Sequence, residues 1–459
     1  MLNDVKIIHF IGIGGSGMSA IAKVMLDMGY VVSGSDAQKS AVTLKLEQAG
    51  AVVCIGHSYE NINDAQAVVV STAISDTNPE VKAARDKKIA VYHRADVLAF
   101  LMGKQQGIAV AGAHGKTTTT SIIALMLETA GIDPTIIIGG ELESIGGSSK
   151  LGHGAYLVAE ADESDGSLLK LSPHIAVVTN IENDHMDYYK TMDNILRTFN
   201  EFLQKLKPVD GLAVLCFDNS YVRDLASAIN RRFVSYALEH EADYTARNIK
   251  SDGPMTSFDV YYHGALLGMI RICVPGKHNV ANALAAVAVG VETGLSFQQI
   301  SKGVSLFQGA KRRFQSKGRV KGVWVVDDYA HHPTEITTTL LGARQTEPKR
   351  LICVFQPHRY TRTQFLCQQF GSAFTPADIL ILTDIYSAGE QPIPGINGEK
   401  LKAEVESQTD QRVIYIPDKD KIARYLAEIV EPGDLVMTMG AGNIYQAGEE
   451  LVERLMQHQ

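Results

Sequence analysis

Apolar, β-branched runs alternate with stretches of helical periodicity along almost the whole chain. In the first part, apolar residues recur on one face over residues 18–28 and predict a helix, and another helix is predicted over residues 95–102. Strands that alternate with helices are typical of α/β folds with mostly parallel sheets. The runs that predict strands in this part are residues 6–11, 31–33, 51–53, 67–70 and 90–91.

The same alternation continues through the middle and last parts of the chain. Residues 117–129 and the alanine-rich residues 280–292 predict helices, whereas residues 245–274 alternate polar and apolar positions and predict antiparallel strands. Glycine-containing stretches at residues 103–107 and 311–322 predict two hinges. The remaining predicted strands are residues 108–111, 135–138, 155–160, 175–179, 212–216, 323–326, 351–355, 379–382, 413–415 and 435–438.

A glycine-rich loop follows the first predicted strand. Residues 12–18 contain G-x-G-x-x-G within a strand–turn–helix, and Asp36 closes the next strand. Backbone N–H groups and the dipole of the following helix favour an anion there. The motif indicates a dinucleotide site with the acid on a ribose hydroxyl, but the pyrophosphate of a UDP-sugar fits the same geometry. A tight turn without a ligand is the remaining alternative.

A second glycine-rich loop, at residues 112–118, follows the strand predicted at residues 108–111. Its Gly-Lys-Thr core is that of a P-loop, in which Lys116 reaches the β- and γ-phosphates and the Thr117 hydroxyl binds Mg²⁺. Val110 stands where the P-loop pattern has its first glycine, so Gly112 must open a shorter arch. Two phosphate loops in one chain predict an enzyme that uses a nucleoside triphosphate on a nucleotide-carried substrate.

Acidic and imidazole side chains follow two of the central strands. They lie in residues 160–165 and 180–187, at strand ends that open on the same sheet edge as the second loop. Oxygen and nitrogen ligands there can hold Mg²⁺ against phosphates. Solvated loop acids are an equal alternative for most of these side chains. Glu160 and His185 stand out because of their positions directly at the strand end and turn.

Three further segments carry candidate binding residues. His278, Asn279 and Asn282 precede or begin a buried helix, where they either contact a nucleobase edge or cap the helix. The histidine pair beside Pro333 lacks a third ligand at metal-site spacing. Arg359 and Arg362, three apart at a strand end, suit a carboxylate clamp because guanidinium pairs bidentately with carboxylate.

Composition narrows the class of protein. With 459 residues the chain suits about three domains. The net charge of −8, without a Lys/Arg-rich block, argues against a nucleic-acid partner. Five scattered cysteines argue for reduced thiols and against a zinc cluster. Without a signal-peptide pattern or an apolar run of about eighteen residues, we expect a cytoplasmic enzyme that does not insert into membranes.

Together these motifs resemble those of the Mur ligase family of bacterial cell-wall synthesis. The resemblance implies three α/β domains: a Rossmann-like UDP-sugar domain (residues 1–103), a P-loop ATPase-type ATP domain with a mostly parallel sheet (104–312), and a Rossmann-like amino-acid domain (313–459). The matching stretches, in order along nearly the whole chain, are residues 9–19, 112–118, 160–165, 179–187, 276–282, 311–314, 327–335, 356–363 and 438–443.

Within the family, the chain looks like the branch that adds L-alanine. The implied reaction activates the carboxylate of UDP-N-acetylmuramate with ATP as an acyl phosphate, which the amine of L-alanine attacks, and ADP and phosphate are released. Two Mg²⁺ ions are implied as cofactors. Relatives that add later residues carry a modified lysine where this chain has Asn200, so no carbamylated lysine is expected. Monomer and homodimer both stay open.

The resemblance also assigns residues. The implied catalytic residues are Lys116, His185, Arg313 and His331. The implied ATP-binding residues are Gly112, Ala113, His114, Gly115, Lys116, Thr117, Thr118, His278, Asn279, Asn282 and Asp328. The implied UDP-substrate residues are Gly12, Gly14, Gly15, Ser16, Gly17, Met18, Ser35, Asp36, Ser71 and Thr72. The implied amino-acid residues are Tyr329, His331, Arg359 and Arg362, and the implied metal ligands are Thr117, Glu160 and His185.

Three other functions remain as alternatives. A ligase that reattaches recycled tripeptide to UDP-N-acetylmuramate is the nearest, although bulkier residues are expected in its first loop. A nicotinamide-dependent oxidoreductase would use residues 12–17 and Asp36 but would give Lys116 and the acidic strand ends no role. A non-catalytic nucleotide-gated scaffold would bind ATP without releasing phosphate.

Overall fold

The computed structural model describes residues 2, 4–62 and 64–457 and shows an α/β fold built on three sheets. By its internal contacts the chain divides into two compact units. The first unit is Met1–Arg247, Asp259–Ile270 and Ala281–Phe307, and the second is Asn248–Phe258, Arg271–Val280 and Gln308–Gln459. The first two sheets have their parallel strands in the first unit, and the third sheet lies in the second unit.

The first sheet has five strands, and all of them are parallel, as the sequence predicts. Their order is β3-β2-β1-β4-β5. Its strands are β1 (Ile7–Ile11), β2 (Val31–Asp36), β3 (Val52–Ile55), β4 (Ala67–Val70) and β5 (Ala90–His93). The helices that connect and follow them are α1 (Ser16–Asp27), α2 (Ala41–Gln48), α3 (Pro79–Asp86) and α4 (Arg94–Met102). The polar stretch at residues 103–105 connects α4 to the central sheet.

The central sheet has ten strands in the order β15-β14-β13-β12-β11-β10-β6-β9-β7-β8. Its strands are β6 (Gln106–Ala111), β7 (Thr135–Leu142), β8 (Gly147–Lys150), β9 (Tyr156–Glu160), β10 (Ile175–Val178), β11 (Leu212–Cys216), β12 (Arg232–Ala237), β13 (Tyr244–Asp252), β14 (Met255–Tyr262) and β15 (Ala265–Ile272). Its helices are α5 (Lys116–Thr129), α6 (Met186–Tyr189), α7 (Met192–Gln204), α8 (Ser220–Ala228), α9 (Lys277–Glu292) and α10 (Phe297–Ser305).

Most neighbouring strands of this sheet are parallel, from β7 through β9, β6, β10, β11 and β12 to β13, whereas β8 runs antiparallel to β7. Two-residue connections join β13 to β14 and β14 to β15, and connections that short join only antiparallel neighbours. The antiparallel strands predicted at residues 245–274 are therefore confirmed.

The third sheet has the order β16-β17-β21-β18-β19-β20, in which only β16 is antiparallel to its neighbour. Its strands are β16 (Gln315–Val320), β17 (Val323–Asp328), β18 (Arg350–Phe355), β19 (Ile379–Leu382), β20 (Arg412–Tyr415) and β21 (Asp434–Met439). Its helices are α11 (Pro333–Arg344), α12 (Tyr360–Phe365), α13 (Cys367–Ala373), α14 (Gly398–Gln408), α15 (Ile422–Ile429) and α16 (Tyr445–Gln457).

The second predicted hinge, at residues 311–322, is wrong for half of its length. Residues of this stretch form β16, which pairs with β17 through a register shift between Ser316 and Gly318. A Cβ atom on Gly318 would lie 3.2 Å from a methyl group of Val452, so this glycine serves close packing. The glycine-containing, basic composition that predicted a hinge is instead that of a strand at the edge of the sheet.

Helix α5 is packed on all sides. Every residue from Thr118 to Leu127 is buried, including four consecutive hydroxyl residues. Glycines of two other helices allow close approach: a Cβ atom on Gly303 would lie 2.6 Å from Met126 Cα, and one on Gly290 would lie 2.8 Å from its sulfur. Among the described residues, no helix combines the length and the apolar character needed to cross a membrane.

The first sheet contains a buried polar cluster around Glu80. Its carboxylate is fully buried and accepts hydrogen bonds from Ser35 Oγ at 2.5 Å and Asn61 Nδ2 at 2.5 Å. His57 Nδ1 lies 3.1 Å and His9 Nε2 3.8 Å from its oxygens. Burial alone would raise the pKa of Glu80, but His9, Ser35 and Asn61 outweigh it and lower the pKa to about 2.

Glu80→Gln is expected to lower the free energy of unfolding by about 1–3 kcal/mol at neutral pH. Because the pKa is depressed in the folded state, this stabilisation is present above the usual value of 4.5 and is lost as the pH falls towards 2. Denaturant unfolding at several pH values should show that the difference in free energy of unfolding between the variant and wild type becomes smaller as the pH falls from 4.5 towards 2. Glu47→Gln, at an exposed position, is the control. A difference in free energy of unfolding that does not depend on pH would contradict the depressed pKa of Glu80.

Candidate active site

The second glycine loop joins β6 to α5 and is held from a neighbouring strand end. Gly112 and Gly115 have positive φ angles of 139° and 82°. Asn180 Oδ1 accepts the His114 N–H at 2.8 Å, and the Asn180 amide and the Thr179 hydroxyl donate to the His114 carbonyl at 2.9 and 2.6 Å. The loop is therefore fixed in its arch by side chains that follow β10.

Lys116, Glu163 and His185 lie together beside this loop. Lys116 Nζ is 2.7 Å from Glu163 Oε1, and His185 Nε2 is 3.6 Å from the same oxygen. His185 has a left-handed backbone (φ 54°), and its Nε2 is 3.5 Å from Asp184 Oδ2. The predicted meeting of the second loop with the acidic strand ends is confirmed, although Glu163 was not among the predicted site residues.

The charges in this group determine its protonation. Burial lowers the pKa of Lys116, but Glu163, with Asp162 and Glu160, outweighs burial and raises it. Burial also lowers the pKa of His185, and Glu163 and Asp184 raise it above its usual value. Lys116 is thus held as a cation, and His185 keeps its proton to a higher pH than an exposed histidine does.

The predicted metal ligands Thr117 and Glu160 flank two consecutive glycines of β7. The Gly139 N–H donates to Glu160 Oε1 at 2.7 Å, and a Cβ atom on Gly140 would lie 3.1 Å from Thr117 Cγ2. Within the described residues, the buried Oε2 of Glu163 has no hydrogen-bond partner. A hydroxyl, carboxylate oxygens and an unpaired buried oxygen suit a hard cation such as Mg²⁺.

The first glycine loop connects β1 to α1 and bonds to the end of β2. The N–H groups of Gly12 and Ile13 donate to the Ser35 carbonyl at 2.8 and 3.0 Å. The Gly14 N–H donates to Asp36 Oδ2 at 2.9 Å. Asp36 therefore supports the loop itself, and the ribose contact predicted for it stays a prediction.

Other predicted substrate residues lie where the first sheet contacts the central sheet. Thr72 Oγ1 donates to Asp165 and lies 3.2 Å from His93 Nε2. Arg94 Nη2 lies 2.5 Å from Asp162 Oδ2. Ser71 precedes Thr72 in a turn after β4, where its carbonyl accepts the Ile74 N–H. Arg94 and Asp162 were not predicted as site residues.

Asn282 lies against the second loop within the first unit. Thr119 Oγ1 donates to Asn282 Oδ1 at 3.1 Å, and a Cβ atom on Gly115 would lie 2.6 Å from that oxygen. Asn279, by contrast, donates to the Pro275 carbonyl at 2.7 Å in the second unit. A hydrogen bond to a carbonyl four residues earlier is expected for a residue at the start of a helix. The nucleobase contacts of Asn279 and Asn282 stay predictions.

Asp328 is buried and His278 is half-buried in the second unit. Burial, with Arg313, lowers the pKa of His278 to about 4, so its imidazole is neutral near pH 7. The Asp328 carboxylate accepts the N–H groups of Phe314 and Ala330 at 2.7 and 2.8 Å. Burial raises the pKa of Asp328 to about 6 despite Arg313. Asp328 thus organises the backbone that carries Arg313.

The predicted amino-acid residues gather in the second unit. The Tyr329 and His331 ring centroids are 5.5 Å apart, and Arg313 lies 5.4 Å from the Tyr329 centroid. Arg362 Nη1 lies 3.1 Å from Nδ1 of His358, whose ring is 5.9 Å from that of His331. Arginines beside aromatic rings suit a small carboxylate ligand.

Two features of this group bear on its chemistry. Burial lowers the pKa of His331 to about 3, with Glu335 raising it and Arg362 lowering it, so the imidazole is uncharged at neutral pH. Arg359 is the residue before α12 and has a φ of 69°, with its N–H bonded to the Tyr386 carbonyl at 2.8 Å. A non-glycine residue held in that conformation by its surroundings is typical of a functional position.

Comparison with known proteins defines the class. Three family models match: "Mur ligase family, catalytic domain" over residues 7–106, "Mur ligase middle domain" over residues 110–290, and "Mur ligase, glutamate ligase domain" over residues 312–442. With the phosphate loop and its lysine, these matches define an ATP-dependent ligase that forms amide bonds. The chain belongs to the Mur ligase family.

Individual relatives resemble the chain over its whole length. Proteins named UDP-N-acetylmuramate–L-alanine ligase from Pelotomaculum thermopropionicum and Geotalea daltonii are 54% and 53% identical, over 98% and 99% of both chains. The solved UDP-N-acetylmuramate–alanine ligase of Thermotoga maritima is 27% identical, with a TM-score of 0.84 over 98% of this chain and 99% of that one. A murein peptide ligase from Psychrobacter arcticus is 26% identical, with a TM-score of 0.72 over 98% of both chains.

Proposed function

We propose that the chain joins the amine of L-alanine to the carboxylate of UDP-N-acetylmuramate at the expense of ATP, in the synthesis of peptidoglycan precursors. The observation that carries the proposal is the identity of 54% over 98% of both chains to a relative named for that reaction. The oxidoreductase alternative has no support in these comparisons. The tripeptide-attaching alternative has less support than the alanine-adding one, since the murein peptide ligase of Psychrobacter arcticus has a TM-score of 0.72 and the alanine ligase of Thermotoga maritima one of 0.84.

Lys116 supports the phosphoryl-transfer half of this reaction. A carboxylate is a poor electrophile, and phosphorylation by ATP removes the negative charge that repels an amine. Lys116 is held as a cation at the start of α5, where the N-terminal end of the helix also favours an anion. Thr117, Glu160 and His185 would hold Mg²⁺, which supplies further charge neutralisation when bound.

The amide-forming half requires L-alanine to be held with its amine unprotonated. Arg359 and Arg362 would bind the alanine carboxylate, and Tyr329 and His331 would border it. Burial lowers the pKa of His331 to about 3, so its imidazole is neutral at pH 7 but a weak base, whereas His185, whose pKa is raised, is the stronger base of the two. We expect the reaction to take place in the cytoplasm.

Arg359→Ala is expected to raise the KM for L-alanine about 10–100-fold, since a charge-assisted hydrogen bond to a carboxylate contributes about 1.5–3 kcal/mol. The KM for ATP should stay near that of wild type. Steady-state kinetics with each substrate varied in turn will measure both. Arg424→Ala, on the exterior helix α15, is the matched control, and an effect of Arg359→Ala confined to ATP would show a misassigned residue.

Phosphate release will test the function as a whole. The assay contains the full chain, ATP, Mg²⁺ and UDP-N-acetylmuramate, with single amino acids or the tripeptide L-alanyl-γ-D-glutamyl-meso-diaminopimelate as acceptor. We expect release with L-alanine and little with the tripeptide. Preference for the tripeptide would support the recycling alternative, and ATP binding without release under any acceptor would support a scaffold.

A further inference from the structure

Two adjacent acidic residues of the first unit form ion pairs with cations that lie beside the two different phosphate loops. Asp162 pairs with Arg94, whose Nη2 lies 2.5 Å from its Oδ2. The next residue, Glu163, pairs with Lys116 at 2.7 Å. Arg94 begins α4 at the end of the first sheet, whereas Lys116 begins α5 on the central sheet. The peptide bond between Asp162 and Glu163 thus connects Arg94, at the first sheet, to Lys116, at the central sheet.

Arg94 also lies against the first glycine loop. A Cβ atom on Gly17 would be 3.4 Å from Arg94 Nη1, the guanidinium nitrogen that is not bonded to Asp162. The guanidinium side chain is 19% exposed, so it borders the loop without being sealed from it. An anion on the N–H groups of that loop would come within reach of Nη1 while Nη2 stays on Asp162.

The acidic segment between the loops is held firmly. Asp162 Oδ1 accepts the Ser164 N–H at 3.0 Å, and Asp165 Oδ1 accepts the Ser167 N–H at 3.0 Å. Asp165 is also bound by Thr72, and Arg94 Nη2 is 3.9 Å from it. A shift of Arg94 would therefore move the whole segment, including Glu163, and not only the side chain of Asp162.

The charges agree with this connection. Burial would raise the pKa of Asp162, but Arg94 and then Lys116 outweigh it and lower the pKa to about 2. Asp162 in turn is one of the residues that raise the pKa of Lys116. Arg94, beside the first loop, and Lys116, in the second loop, thus act on the same carboxylate.

We propose that Arg94 is a positioning residue that couples the two nucleotide sites, by holding Asp162 with one guanidinium nitrogen and the pyrophosphate of the sugar nucleotide with the other. The inference rests on the proposed function, because it takes the ligand of the first loop to be a UDP-sugar. Binding of that pyrophosphate fixes Arg94, and through Asp162 it fixes Glu163 against Lys116. Linkage makes the effect reciprocal, so ATP favours sugar-nucleotide binding by the same factor.

The coupling factor is measurable by calorimetry on the full chain. UDP-N-acetylmuramate is titrated with and without a saturating non-hydrolysable ATP analogue and Mg²⁺, and the ratio of the two dissociation constants is the factor. For wild type we expect a factor in the range of roughly 5–150 that is typical of linked sites. Arg94→Lys keeps the positive charge but has only one terminal nitrogen, so it cannot contact Asp162 and the pyrophosphate with separate nitrogens. Arg94→Lys and Asp162→Asn should each bring the coupling factor close to one.

The double variant should be no worse than either single variant, since both remove the same connection. Lys170→Gln is the matched control: its ion pair with Asp96 also joins α4 to the central part, at 2.8 Å, but touches neither loop. It should keep the wild-type factor. The KM of Arg94→Lys for UDP-N-acetylmuramate should rise while its KM for L-alanine stays unchanged, whereas a smaller folded fraction would lower the apparent kcat and leave both KM values unchanged.

The outcomes separate this inference from the proposed function. Wild type that binds both ligands and forms product, with a coupling factor near one, overturns the coupling alone. The same holds if Arg94→Lys and Asp162→Asn keep the wild-type factor, or if Lys170→Gln loses it equally. Wild type that does not bind UDP-N-acetylmuramate overturns both.

Discussion

Lys116→Ala will lower turnover by at least about 10²–10³-fold, the usual cost of removing one group that stabilises charge in a transition state. The side chain is the cation nearest the arch of the second loop, bonded to the Ala113 carbonyl at 3.2 Å and to Glu163 at 2.7 Å. Binding of UDP-N-acetylmuramate in the absence of ATP should be nearly unchanged, because the first loop is built on a different sheet. Phosphate release and calorimetry will measure the two effects.

Removing the lysine also leaves Glu163 as a buried carboxylate without its cation. The double variant Lys116→Met with Glu163→Gln removes both charges and separates this electrostatic penalty from lost chemistry. We expect it to stay inactive while its thermal stability recovers. Lys150→Ala is the control, since Lys150 pairs with Glu128 and Asp133 at the opposite end of α5. Recovery of turnover in the double variant would show that Lys116 only balances Glu163.

Gly112→Ala will abolish measurable ATP binding, with a loss of affinity of about 100-fold or more, because the loop must leave the arch that Thr179 and Asn180 fix. A Cβ atom at this position would lie 2.1 Å from Thr179 Oγ1 and 3.0 Å from the Asn180 carbonyl oxygen, and φ is 139°. No side chain fits there unless the loop moves away from β10. Titration with a non-hydrolysable ATP analogue will show the loss.

Gly131→Ala separates backbone strain from the steric clash. Gly131 follows the other end of α5 with a φ of 78°, but a Cβ atom there would meet nothing within 4 Å. It should lower stability by about 1 kcal/mol and leave ATP affinity unchanged. Equal loss of ATP binding in both variants would mean that Gly112 acts through general stability and not through the shape of the loop.

The two loops were predictable because their chemistry is local. A strand, a few glycines and a helix follow one another in sequence, so the position of Gly112 as the opening of a shorter arch could be inferred from Val110 alone. The structure agrees, since Gly112 has the positive φ that only glycine adopts readily. Parallel pairing of β6, β9 and β10 could likewise be inferred, and it brings Glu160 and Thr179 to the same edge.

The partners of the two loops were not predictable. Residues 160–165 contain four acids, and the sequence does not say which of them faces a cation. Glu163 was missed because its burial depends on how the segment turns after β9, and Arg94 was missed because it comes from a different sheet. Spacing along the chain carries no information on such contacts, which follow from how the two sheets pack.

Two of the strands that were not predicted have weak patterns. Strand β16 contains one apolar residue and a glycine, and it exists because β17 offers it an open edge. Strand β12 begins with two exposed positions before its buried ones. Helices and buried parallel strands, by contrast, have their own continuous apolar signal, and their predicted bounds were close to those of the structure.

The complete enclosure of α5 has a consequence for inhibitors. Because its residues from Thr118 to Leu127 are all buried, the helix cannot shift or rotate without opening the packing around Met126. The amides at its first turn are thus already set for an incoming anion, and little ordering entropy is lost when one arrives. Compounds that mimic a triphosphate would bind a rigid surface at the first turn of α5. We therefore expect compounds with better shape complementarity to this turn to dissociate more slowly.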